Sequence, residues 1–167
     1  METASTETLS TGGVSKKSSL RVDVALDHEP FPVDVGRLRE AVRRIADDHE
    51  ISRGTVSVAI VTDEVIHDVN RRFLNHDEPT DVISFVLESR PGRLDGELVI
   101  GADVAVRSAA ELKVAPGDEL LLYVIHGMLH LVGYDDLSPE PRRLMRAKER
   151  DYLRAYGVEL PAPSEDV

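Results

Sequence analysis

The sequence contains no cysteine and no tryptophan, and only 4% of its 167 residues are aromatic. The absence of cysteine excludes a disulfide scaffold, a thiol nucleophile, a thiolate zinc site and an iron–sulfur cluster. No apolar run approaches the roughly 20 residues needed to span a membrane. The N-terminal segment METASTETLS lacks the basic start and apolar stretch of a secretory signal. We therefore expect a cytoplasmic protein with no membrane partner.

Basic residues are also in the minority. Lysine and arginine number 20 against 31 acidic residues, which gives a formal net charge of −11. A broad nucleic-acid surface needs clustered lysine and arginine, because binding displaces counterions from phosphates. Few aromatic side chains are present for stacking on bases. We expect no DNA partner, and any contact with RNA must depend on a local site.

The apolar pattern predicts one α+β domain between two tails. Residues 1–19 are small and polar and residues 157–167 are rich in proline and acids, so we expect both segments to be loose. Residues 20–156 alternate between strand and helix periodicity in the order β-α-β-α-β-β-α-α-α. This order predicts a small mixed sheet of about four strands packed with about five helices. Asp34 is placed to cap the first helix.

An apolar segment, Leu120 to Val132, carries the clearest chemical signal. It is apolar nearly all round, which predicts a buried helix. His126 and His130 lie four residues apart on one face of this helix, where a metal ion would satisfy both imidazoles. A glycine ends the helix, and Asp135 or Asp136 in the following turn could add a carboxylate. Two histidines and a carboxylate suit zinc with an open position for water.

Three segments resemble the YbeY family of metal-dependent endoribonucleases. His126–Asp136, HGMLHLVGYDD, is similar to the family pattern H-G-x-L-H-L-x-G-Y-D-H. Asn70–Phe85, NRRFLNHDEPTDVISF, and Gly96–Ile100, GELVI, resemble two further family segments.

The resemblance implies a zinc-dependent endoribonuclease specific for single-stranded RNA. It implies a role in 16S ribosomal RNA 3′-end maturation and ribosome quality control. The expected partners are ribosomal RNA and the small ribosomal subunit. In the family, the two helix histidines and the last histidine of the pattern bind zinc. These positions fall on His126, His130 and Asp136.

The chain departs from the family at two positions. Position 136 is aspartate where the family has histidine, and a set of two histidines and one carboxylate also accepts Fe(II) or Mn(II). Asp135 is the rival ligand, but the motif position favours Asp136. Leu74 stands where the family has an arginine. Arg71 and Arg72 lie nearby and are candidates for substrate binding, with solvation of the outer face of their helix as the alternative.

A second basic feature lies on the last predicted helix. Arg142, Arg146, Arg150 and Arg154 recur every four residues and form a stripe that could guide a phosphate backbone. Neighbouring acids, Glu149 among them, favour the alternative that this stripe is a solvated helix face.

Two other functions compete with RNA hydrolysis. A metalloprotease shares the paired histidines, but it needs H-E-x-x-H with a glutamate base, and Gly127 occupies that position. A non-enzymatic ribosome assembly factor with a structural metal would tolerate the changes at Asp136 and Leu74. No general base is identified by the sequence.

Overall fold

Nine elements build the domain in the computed structural model, which describes residues 17–160. Their class and order confirm the predicted α+β domain. The elements are β1 (Arg21–Leu26), α1 (Val35–Asp48), β2 (Arg53–Val61), α2 (Asp63–Leu74), β3 (Val82–Arg90), β4 (Arg93–Gly101), α3 (Ala102–Leu112), α4 (Pro116–Leu131) and α5 (Pro139–Arg154).

The four strands form one mixed sheet in the order β1-β2-β4-β3. Strands β1, β2 and β4 run parallel, while β3 pairs antiparallel with β4 through a tight hairpin. Alternate residues of β2 and β4 are fully buried, as strand periodicity predicts. Val58 of β2 is in register with Leu98 of β4, and the two side chains are 1% and 0% exposed. This apolar face of the sheet supports helices α1 and α4.

Helix α1 begins where the sequence predicts. The carboxylate of Asp34 accepts a hydrogen bond from the backbone N–H of Arg37 at 3.0 Å, so it caps the helix. The apolar side of α1 then packs into the core. Its buried residues are Leu38, Ala41, Val42, Ile45 and Ala46.

Helix α4 lies at the centre of the domain and contacts the sheet and helices α1, α3 and α5. Most of its residues are buried, as its apolar composition predicts. Gly127 allows α4 to lie close to the sheet. A Cβ atom there would stand 2.8 Å from Cγ2 of Val82 and 2.9 Å from Cδ2 of Leu98.

Both ends of the described segment contact the rest of the domain. Ser19 donates its backbone N–H to the carbonyl of Ser52 at 2.8 Å. Val158 and Leu160 pack against the core. Residues 1–16 and 161–167, which make up most of the two predicted tails, lie outside the described residues, so the predicted boundaries stay predictions. Among residues 17–160, no helix has both the length and the hydropathy of a membrane span.

Candidate metal centre

Helix α4 and the loop after it bring the three predicted ligands together. The Nε2 atoms of His126 and His130 lie 3.1 Å apart. The carboxylate of Asp136 lies 3.5 Å from Nε2 of His126 and 3.6 Å from Nε2 of His130. One ligand atom from each residue falls within 4.8 Å of the others. All three residues are partly exposed, so this group could hold a metal ion that remains accessible to substrate.

A glycine-terminated helix end places the aspartate. Gly133 has φ of +108°, in the left-handed region that favours glycine. The N–H of Gly133 bonds to the carbonyl of His130 at 3.1 Å, and the N–H of Tyr134 bonds to the carbonyl of Leu129 at 3.0 Å. This is the Schellman arrangement, which reverses the chain at a helix end. The reversal returns the loop toward the histidines and sets Asp136 beside them.

Asp135, the rival ligand, has a different partner. Its carboxylate accepts a hydrogen bond from the backbone N–H of Leu137 at 2.9 Å, so it stabilises the loop. The backbone carbonyl of Asp136 accepts a bond from Nε of Arg142 at 3.1 Å, which ties the loop to α5. The structure therefore places Asp136, and not Asp135, against the histidine pair.

Each imidazole is oriented through its other ring nitrogen. Nδ1 of His126 lies 2.5 Å from Oε1 of Glu149, and Nδ1 of His130 lies 3.0 Å from the carbonyl oxygen of Tyr134. Both partners accept hydrogen bonds, so each Nδ1 donates its proton and each Nε2 is the ring nitrogen left for a metal ion. The two Nε2 atoms and the Asp136 carboxylate face one point, where a metal ion could replace the contact between the two imidazoles. The donor set therefore fits a metal ion.

Glu149 belongs to the site, although its sequence neighbourhood indicates a solvated helix face. Its side chain is only 1% exposed, and Arg146 donates to its second oxygen at 3.2 Å. The sequence did contain a signal for this burial. Glu149 is four residues from both Met145 and Leu153, which are the other buried residues of α5. An acid in the apolar register of a helix indicates a buried partner.

Negative charges around His126 raise the pKa of its imidazole. Burial alone would lower the pKa of His126, but the hydrogen bond and charge of Glu149 outweigh burial and raise this pKa. The carboxylates of Asp81 and Asp136 add to the increase. The site is therefore electronegative and attracts cations.

His126 opens into a cleft of about 1270 Å³. One wall comes from α4 and the segment before β3, and it carries Asp81 and Glu119. Burial raises the pKa of the Glu119 carboxyl, and the nearby charge of Asp81 raises it further. The other wall comes from α5. Its cleft-lining arginines are Arg142, Arg143, Arg146 and Arg150.

The two arginines predicted to bind substrate lie elsewhere. Arg71 and Arg72 are exposed in the last turn of α2 and bond to Asp68 at 2.8 and 3.1 Å. Their hydrogen bonds and charges lower the pKa of the Asp68 carboxyl, with the bond from Arg71 as the largest cause. Neither arginine lines the cleft, and neither does Leu74.

Gly127 excludes the arrangement of a metalloprotease base. Val82 and Leu98 occupy the space that a side chain at Gly127 would enter. The carbonyl of Gly127 accepts a hydrogen bond from the Ser84 hydroxyl at 3.1 Å. A glutamate here would collide with the sheet. The structure thus gives a steric reason why α4 has no H-E-x-x-H motif.

Comparisons with known proteins identify one family. The profile of the family described as "Endoribonuclease YbeY" matches residues 26–157. A relative from Rhodopirellula baltica with the same name is 42% identical over 161 residues, covering 89% of this chain and 83% of the relative. Another, from Salinibacter ruber, is 35% identical over 146 residues, covering 83% and 91%.

A solved structure has a similar fold. The solution structure of TM1509 from Thermotoga maritima matches with a TM-score of 0.53 and 26% identity, covering 87% of this chain and 99% of that one. The family match spans most of the described domain and includes the histidine helix, the acidic turn and the segment before β3. The chain therefore belongs to the endoribonuclease YbeY family.

Proposed function

We propose that this protein is a metal-dependent endoribonuclease that hydrolyses phosphodiester bonds of single-stranded RNA. The observation that carries the proposal is the group of His126, His130 and Asp136, of which His126 lines a cleft, in a chain of the YbeY family. The name of the relatives, endoribonuclease, supports RNA as the substrate.

The proposed resident metal is one Zn²⁺ ion held by His126, His130 and Asp136. Two imidazole nitrogens and one carboxylate oxygen suit zinc, although Fe(II) and Mn(II) accept the same donors. When bound, the ion would polarise a phosphoryl oxygen and lower the pKa of a bound water. Glu149 and the Tyr134 carbonyl hold the protons on both Nδ1 atoms, which keeps both Nε2 atoms available.

The biological role follows from the family resemblance. We propose that the substrate is ribosomal RNA, that the protein acts in 16S 3′-end maturation and ribosome quality control, and that it meets the small ribosomal subunit in the cytoplasm. A contribution of Arg71 and Arg72 to substrate binding stays a prediction.

A second candidate is a ribosome assembly factor that keeps a structural metal without hydrolysis. The replacement of the family histidine by Asp136 and of the family arginine by Leu74 favours it. This candidate predicts that the protein co-sediments with small ribosomal subunits and leaves RNA intact.

The decisive experiment compares native protein with D136A and the matched variant D135A. Bound metal is measured by mass spectrometry, and cleavage of a labelled single-stranded RNA is measured in parallel. We expect about one metal ion per native chain, loss of metal and cleavage in D136A, and retention of both in D135A. Native protein that binds no metal would refute the proposed enzyme. Bound metal and co-sedimentation without cleavage would identify the assembly factor.

A further inference from the structure

We propose that Arg142, Arg146 and Arg150, here called the arginine wall, bind the phosphate backbone of single-stranded RNA beside the metal centre. The inference rests on the proposed function and adds the path of the substrate. The wall is one side of the cleft into which His126 opens.

The arginine wall is held rigidly to the metal centre by two contacts. Glu149 of the same helix bonds to His126 at 2.5 Å, and Nε of Arg142 bonds to the backbone carbonyl of Asp136 at 3.1 Å. One contact reaches the helix that carries the histidines, and the other reaches the loop that carries the carboxylate. A phosphate on the wall would therefore stand at a defined place relative to the metal ligands.

These arginines also keep free hydrogen-bond donors. Within residues 17–160, no carboxylate lies within 4.0 Å of the guanidinium of Arg142 or Arg150. Arg146 uses its NH1 group for Glu149, and its side chain is still 60% exposed. A guanidinium has five N–H donors, so each wall arginine can still bind a phosphate. Arg71 and Arg72, by contrast, are both paired with Asp68.

Charge decides on which side of the cleft the backbone lies. The cleft lining also carries Asp81, before β3, and Glu119, on α4, so the cationic part of the lining is the part that α5 forms. The chain as a whole is acidic, with a formal net charge of −11, so a phosphate backbone needs a local basic surface. The cationic side of α5 is therefore the local basic site that an RNA substrate requires.

The spacing of the wall suits an extended strand. Its residues recur every four positions along α5, so successive arginines are displaced by about 6 Å along the helix axis on one face. A row of cations at this interval can follow a single-stranded backbone without reading its bases, as in grooves that track single strands. We thus expect binding with little sequence preference.

The test measures affinity for a fluorescent 2′-O-methyl single-stranded oligonucleotide, checked to be intact after each measurement, over a range of salt concentrations. Metal-loaded native protein is compared with R146A, R150A, R150K and the control R43A. Arg43 is an exposed arginine of α1 that does not line the cleft. Metal content is measured for every variant, so that damage to the metal centre is detected separately.

We expect R146A and R150A to bind several-fold more weakly at low salt, and R150K to keep most of the affinity. Each lost contact should reduce the salt slope of log K by about 0.7, the value for one phosphate on a single strand. R43A should match the native protein. Equal affinities and slopes for R146A, R150A and R43A would overturn the arginine wall.

Two further outcomes distinguish failure of the arginine wall from failure of the proposed function. If native protein cleaves RNA and only an R71A/R72A double variant weakens binding, the enzyme stands and the wall is refuted. If native protein neither binds nor cleaves single-stranded RNA, both proposals fail.

Discussion

Replacing Glu149 by glutamine tests whether its buried charge supports the proposed metal centre. The glutamine side chain would retain an oxygen acceptor of nearly the same shape beside His126, so the change removes mainly the negative charge. In the native protein the Glu149 carboxylate lies 2.5 Å from Nδ1 of His126 and accepts a hydrogen bond from it. The Glu149 side chain is only 1% exposed. A charge-assisted bond of this kind strengthens the metal-binding nitrogen of the same ring.

The expected loss follows from that contact. Mutating the hydrogen-bond partner of a metal-binding histidine typically weakens metal affinity about 10- to 100-fold. This corresponds to about 1.4 to 2.7 kcal/mol of binding free energy. Arg146 also loses its buried anionic partner, so E149Q should unfold at a lower urea concentration as well.

The assay is competition for Zn²⁺ against a chromophoric chelator, on protein shown to be folded by circular dichroism. The matched control is E140Q, because Glu140 lies on the same helix, is 81% exposed and, among residues 17–160, forms its ion pair with exposed Arg143. We expect E140Q to bind zinc like native protein. Folded E149Q with native zinc affinity would refute the positioning role of Glu149.

Two further predictions concern stability. G127A should lower the free energy of unfolding by about 1 to 2 kcal/mol in urea titrations, because overpacking against Val82 outweighs the helix propensity of alanine; native stability would contradict the close packing of α4. Asp103 accepts hydrogen bonds from the backbone N–H of Asp63 at 3.0 Å and from His28 at 2.7 Å. Burial raises the pKa of Asp103, but these bonds outweigh it and hold the pKa below the ordinary 3.8. The stabilisation is therefore present above pH 3.8 and is lost as the pH falls through the lower, folded-state pKa. D103N should cost about 1 kcal/mol at pH 7, with a difference from native protein that shrinks below about pH 4; a difference independent of pH would contradict this.

Local patterns predicted much of the fold because they depend on neighbours in the chain. The helical spacing from Leu38 to Ile45 and the cap at Asp34 both reappear in α1. The alternation in β2 reappears as burial. The order of the strands in the sheet, with β4 between β2 and β3, required the structure.

The candidate metal site also has one part that local sequence predicted and one part that only tertiary packing decided. The four-residue spacing of His126 and His130 and the glycine stop after their helix are local features, so the sequence predicted two imidazoles and an acid from the following turn. The family resemblance then favoured Asp136 over Asp135. Glu149 reaches His126 across 23 positions of the chain, and only the packing of α5 against α4 makes that contact.

Local sequence and tertiary packing also contribute differently to the arginines of α2 and those of α5. Arg71 and Arg72 lie in the family-like segment Asn70–Phe85, yet their helix pairs them with Asp68 away from the cleft lining. The arginines of α5 follow the metal motif by several residues, and their stripe alone left both a solvated face and an RNA contact open. Helix periodicity determined that they share a face, whereas the tertiary packing of α5 determined that this face lines the cleft beside His126.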